Sequence, residues 1–126
     1  LRPAAERRIA DGHVQHLHIR PPDVARLLGT LSGGNQQKVA LAKWLTHLPR
    51  VLILSEPTRG MDVGAKDDVV RIVRGLRDQG IAILVVSTEP ETVLSLADRI
   101  LVMKKGCVVR EFADEPVSKD RLLEVA

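Results

Sequence analysis

Residues 51–54, Val-Leu-Ile-Leu, form a short aliphatic run that ends abruptly in Ser55, Glu56 and Pro57. A continuous run of this length reads as a buried strand, and Pro57 has no amide hydrogen with which to extend a ladder. The pattern returns at 81–87, "IAILVVS". Between the two runs Val69, Ile72, Val73 and Leu76 recur at helical spacing, so 63–79 reads as one amphipathic helix stopped by Gly80. Strand, helix, strand in this order predicts parallel pairing through a crossover. In such sheets chemistry gathers beyond the carboxyl ends of the strands, which here carry Ser55-Glu56 and Ser87-Thr88.

The flanking segments extend the pattern. Helix formers fill 4–17, and "RPPD" at 20–23 forces a turn. A short helix is expected at 23–28 and a longer one at 35–48. The longer one is apolar on several sides (Val39, Leu41, Ala42, Trp44, Leu45, Leu48) and so is expected to be well buried. A helix at 90–96 and a strand at 99–104 follow. That strand continues the strand-helix alternation of a parallel sheet and turns at Gly106 into 108–112 as a hairpin, and a last amphipathic helix occupies 117–125.

Composition narrows the function classes. The 19 basic and 16 acidic residues are interspersed, so the net charge of +3 forms no basic cluster of the kind a nucleic-acid binder carries. Trp44 and Phe112 are the only aromatics, too few for stacking platforms. A lone Cys107 permits no internal disulfide and favours a reducing compartment. With no membrane-length apolar run and no signal peptide, a soluble, cytoplasmic chain is expected.

Individually the motifs are ambiguous. Glu56 reads as a general base or water-orienting carboxylate at a cleft edge, or more simply as the first solvated residue of a loop. Ser32-Gly33-Gly34 before a helix suits an anion, because glycines admit close backbone approach and the helix N-terminus offers unpaired N–H groups. It also suits a plain cap and turn. His13, His16 and His18 are spaced so that only the first two share a helical face, which favours a solvated helix over a metal site.

Taken together, "LSGGNQQKVALAKWL" and "VLILSEPTRGMDVGAK" resemble the ATP-binding cassette (ABC) transporter ATPases. The wording through "DRILVMKKG" is similar to the second, C-terminal cassette of tandem-cassette ATPases from bacterial sugar importers of the ribose and galactose type. The resemblance covers 31 to about 112.

It implies an α/β, P-loop NTPase-type, mostly parallel sheet with crossover helices. Residues 1–30 would belong to the helical subdomain, and 31–126 to the C-terminal part of the ATPase domain. Leu31, Ser32, Gly33, Gly34, Asn35 and Gln36 correspond to the nucleotide-contacting signature. Glu56 corresponds to the catalytic glutamate after Walker B, and Gly60, Met61 and Asp62 to the D-loop. ATP and Mg²⁺ are the implied cofactors. The implied partners are the N-terminal cassette of the same subunit, transmembrane permease subunits and, indirectly, a periplasmic sugar-binding protein. No nucleic acid is implied, and the location would be the cytoplasmic face of the bacterial inner membrane.

Three departures matter. No Gly-x-x-x-x-Gly-Lys-Ser/Thr occurs, so the phosphate-cradling Walker A is absent and an incomplete sheet is expected. Ser55 stands where the family places the Asp that holds Mg²⁺ through water, and a neutral hydroxyl weakens such a site. Thr88 stands at the switch-histidine position. The chain alone is therefore expected to lack ATPase activity. Rival readings are an ABC ATPase of repair or translation, or a degenerate module that only pairs.

Overall fold

The computed structural model describes residues 3–113 and 115–126. Its centre is a parallel pair, β1 (Val51–Ser55) and β2 (Ala82–Val86), in register from Val51 opposite Ala82 to Ser55 opposite Val86. The crossover between them is α3 (Val63–Asp78). Asp62 starts this helix by accepting from the Ala65 N–H at 2.9 Å, and at its end Gly80, at φ +90°, donates to the Arg77 carbonyl at 2.8 Å.

Val69, Val73 and Leu76 of α3 lie on Leu52, Leu54 and Ile81. Leu41, Ala42 and Leu45 of α2 (Gly33–Leu45), Leu96 of α4 (Pro90–Leu96), and Leu17 and Ile19 after α1 (Pro3–His16) close the core.

Burial along the central pair differs from expectation. Only Leu52 and Leu54 of β1 are buried, while Val51, Ile53, Leu84 and Val86 are 61%, 66%, 53% and 54% exposed. The continuous apolar run predicted cover on both faces. Among the described residues the helices supply it on one face only, and the other presents bare aliphatic side chains.

The third strand takes its expected turn at Gly106 into a hairpin but, unlike the expectation of a continued parallel sheet, stays apart from the central pair. β3 (Ile100–Lys104) does not join the parallel pair but forms an antiparallel hairpin with β4 (Cys107–Phe112). Lys105 and Gly106 connect them with φ of 50° and 81°, the double left-handed loop that returns a strand on its neighbour. A bulge falls between Val102 and Met103. Val102 and Phe112 bury against Leu122 of α5 (Lys119–Val125), forming a second, smaller core.

Two helical expectations are corrected. α2 buries one stripe rather than several: Trp44 is 64% exposed and Leu48, beyond the helix end, 65%. No helix forms at 23–28. There the Asp23 carboxylate accepts from the Ala25 N–H at 3.0 Å and the Asp23 carbonyl from Arg26 N–H at 3.2 Å, a local turn that competes with helical bonding. A single 3₁₀ turn, Leu28–Thr30, leads into α2.

Leu41 of α2 is 2% exposed within the main core. Leu41→Ala should cost about 2–5 kcal/mol, read as a lower urea midpoint at unchanged slope.

Candidate functional site

Glu56 continues the parallel ladder by one bond past Ser55, donating its N–H to the Val86 carbonyl at 2.8 Å. Its backbone then swings to φ +48°, and Pro57 and Thr58 turn inward and are buried. A left-handed conformation costs a residue with a side chain roughly 1–2 kcal/mol, so the surroundings must hold it there.

Those surroundings are the end of β2. One carboxylate oxygen, Oε1, accepts from the Thr88 N–H at 3.0 Å and the Thr88 hydroxyl at 2.9 Å. Oε2 accepts from the Ser87 hydroxyl at 3.2 Å. The Thr88 hydroxyl, helped by the Thr88 N–H, Ser87 and the charge of Arg59, holds the Glu56 carboxyl below its usual range against a smaller opposing effect of burial. Glu56 and Thr88, 32 residues apart in sequence, are thus brought into direct contact. Ser55 is exposed, in register with Val51 and Ile53 on the uncovered face of β1.

The Leu31–Gln36 segment forms a separate centre. Ser32 sits at the N-cap of α2, yet its side chain makes no cap bond and the first turn carries no acidic residue. Its hydroxyl instead accepts from the Asn35 side-chain amide at 2.9 Å. The Asn35 carbonyl oxygen in turn accepts from the Arg20 N–H at 2.8 Å, and Gln36 Nε2 donates to the Leu31 carbonyl at 2.9 Å. The polar side chains brace the turn and leave the helix N-terminus open.

The two glycines there do different jobs. A Cβ on Gly33 would meet nothing within 4 Å, whereas one on Gly34 would lie 2.7 Å from the Ala65 Cβ. Gly34 is required by the close approach of α2 to α3 and not, as the sequence suggested, by access for a phosphate alone. One turn on, Lys38 is 4% exposed and donates to Asp68 at 2.7 Å and to the His18 carbonyl at 3.3 Å. Lys38 is also what chiefly holds the Asp68 carboxyl below its usual range.

At the start of α3, Gly60 has φ +72°, Met61 packs on the core, and the Asp62 carboxylate caps the helix.

A further polar network was not anticipated. Glu89 Oε2 accepts from Lys66 at 2.8 Å, Thr58 at 2.9 Å and Thr92 at 3.0 Å. Lys66, then Thr58 and Thr92, hold its carboxyl low. Its members come from three elements and share no sequence period, so only a buried Thr58 behind Pro57 could have hinted at it.

This geometry suits an anion at the N-terminus of α2, where the first N–H groups lack intrahelical acceptors and no side chain competes. It does not suit a divalent cation held by this chain's own residues at the end of β1. Ser55 offers a neutral oxygen there, and both oxygens of Glu56 already accept hydrogen bonds.

Comparison with known proteins agrees with the motif order. The family model for ABC transporters matches residues 4–59. The chain is 46% identical over 126 residues to the xylose import ATP-binding protein XylG of Moorella thermoacetica, covering 100% of this chain and 25% of that protein. It is 43% identical over 121 residues to the ribose import ATP-binding protein RbsA of Rhodococcus jostii, covering 96% and 24%. It therefore spans about a quarter of the length of the curated relatives it matches.

Among solved structures, a nucleotide-free ATP-binding cassette from an ABC transporter superposes with a TM-score of 0.79 at 24% identity, over 94% of this chain and 45% of that one. A bacterial ABC transporter cassette in dimeric form gives 0.76 at 23% identity, over 90% and 49%. These likenesses establish the fold. In sequence and in fold the chain is thus similar to part of one cassette of the ABC transporter ATPase family. Members of that family bind ATP, commonly with Mg²⁺, and pair one cassette with another. Among the described residues no helix is long and apolar enough to cross a membrane.

Two outcomes are expected. Gly34→Ala should destabilise by about 1–3 kcal/mol through overpacking against Ala65, whereas Gly33→Ala should change stability by no more than about 1 kcal/mol. Denaturant titration of both variants decides this.

Asp68 and Glu89 titrate lower folded than unfolded. Their contribution is therefore complete above roughly pH 5 and is lost as pH falls through their folded values. Asp68→Asn should flatten the stability curve measured between about pH 3 and 6, a window set by the ordinary carboxylate range.

Proposed function

We propose that this chain is part of the ATP-binding subunit of a bacterial sugar importer, and that it contributes to two different ATP sites. The carrying observation is the open N-terminus of α2, where Ser32 leaves its own helix uncapped and Gly33 leaves the approach clear. Ser32, Gly33 and Gly34, with Leu31, Asn35 and Gln36 bracing them, would face the terminal phosphate of an ATP held by the partner cassette. Bound there, ATP supplies the phosphoryl group. The chain supplies fixed N–H donors and the helix dipole to the charge that develops on its oxygens.

To the other site the chain would bring Ser55, Glu56 and Thr88. Glu56 would orient the attacking water once its carboxylate is freed from Ser87 and Thr88, and Gly60, Met61 and Asp62 would reach toward the partner. With a hydroxyl at 55 and a threonine at 88, this second site binds ATP but turns over slowly, while the first does most of the hydrolysis. None of the hydrogen bonds among the described residues joins the α2 N-terminus to Glu56, which supports assigning them to separate sites. The relatives' names supply the sugar-import reading, and the membrane subunits and binding protein follow from it.

Gly33→Asp tests the first assignment cleanly, because the new side chain has room and adds negative charge where the phosphate would sit. In the full-length subunit within the assembled transporter, ATP-driven uptake should fall by about tenfold or more while the melting temperature holds. Unchanged uptake would end the assignment. Ser55→Asp should alter ATP turnover by less than about twofold, and a large gain would show that the second site limits the cycle.

A further inference from the structure

The loop that holds Glu56 is itself held from behind. Ser87 donates to Glu56 at 3.2 Å while accepting from the Glu89 N–H at 3.1 Å. Thr88 makes the other two bonds to Glu56. The side chain of Glu89 then leaves this loop altogether and ends on Lys66, in the first turn of α3, at 2.8 Å. Glu89 occupies the N-cap of α4 but makes no cap bond there, so its carboxylate is committed to the pair and to Thr58 and Thr92.

Lys66 donates its own N–H to the carbonyl of Asp62, at 3.0 Å, within the turn that Asp62 caps. A continuous run of contacts thus joins Asp62, Lys66, Glu89, Ser87 and Thr88, and Glu56.

We propose that Lys66 and Glu89 are a positioning pair that fixes the Ser87-Thr88 loop against Glu56 and passes displacements of the Asp62 turn to that carboxylate. Thr58 gives the pair a rigid floor, being wholly buried and bonded to both Glu89 and Thr92. The pair itself is partly covered, with side chains 33% and 25% exposed, so it is accessible to rearrangement yet shielded enough to be directional. A shift of the first turn of α3 draws Glu89 with it, and Ser87 and Thr88 then release the two oxygens they occupy. A freed Glu56 carboxylate can accept a hydrogen bond from water.

The importance of Glu56 rests on the function proposed above, but the linkage does not, and the test separates them. Amide exchange of the full-length subunit without nucleotide is followed by mass spectrometry in Lys66→Met, Glu89→Gln and Lys66→Arg. Exchange in the segment around Thr88 should accelerate about tenfold in the first two variants, with the β3–β4 hairpin unchanged, and stay near the parent rate in Lys66→Arg, which keeps the charge and the donor. Equal rates around Thr88 in Lys66→Met and the parent would overturn the proposal. So would acceleration spread equally over the hairpin, or a Lys66→Arg rate as fast as that of Lys66→Met. Uptake by Gly33→Asp judges the ATP reading independently, since neither measurement depends on the other.

Discussion

Where α2 crosses α3 there is no room for a side chain at position 34, and the placement of everything else that matters follows from that contact. Gly34 lies against Ala65, and one turn along Lys38 reaches Asp68, so the two helices are fixed at two points on one face. Packing sets the distance, and a charge pair whose lysine is buried sets the rotation. Stripping Asp68 from Lys38 would leave an ammonium with little water, which makes the pair more valuable for geometry than for net stability. Because α3 also carries the Asp62 cap, the open end of α2 and the start of α3 are held as one unit.

Much of this was legible from the sequence, and the reasons divide by range. β1, α3 and β2 announced themselves through period and length, since a continuous run and a 3.6-residue stripe leave few alternatives. α4 fell at its expected bounds because Pro90 starts it and the apolar spacing ends at Leu96. The short helix at 23–28 failed because Asp23 satisfies its neighbours' N–H groups locally, a preference that apolar spacing does not reveal. β3 was placed in order and turned into its hairpin partner, and only its separation from the parallel pair was not foreseen. Its hairpin turn at Lys105-Gly106 decides its neighbour, and crossover logic does not.

The candidate site was legible as residues and not as contacts. Ser55, Glu56 and Thr88 could be marked because they follow strands. That Thr88 donates twice to Glu56 required the register of β1 on β2, which sets the two strand ends level. The roles of Gly33 and Gly34 look identical on paper and separate only when Ala65 comes into view. Lys66 and Glu89 gave no signal, because an ion pair between the first turn of one helix and the cap of another has no period to detect.

The bare aliphatic face of β1 and β2 has a thermodynamic consequence. A closed domain gains heat capacity on unfolding, about 12–15 cal/mol/K per residue, because its buried apolar surface becomes hydrated. In this chain Val51, Ile53, Leu84 and Val86 are already largely hydrated when folded. Its heat-capacity increment per residue is therefore smaller and its stability curve flatter than those of a domain of the same length with both sheet faces covered. Covering that face steepens the curve, so the gain in cooperativity belongs to whatever completes the sheet and not to this segment.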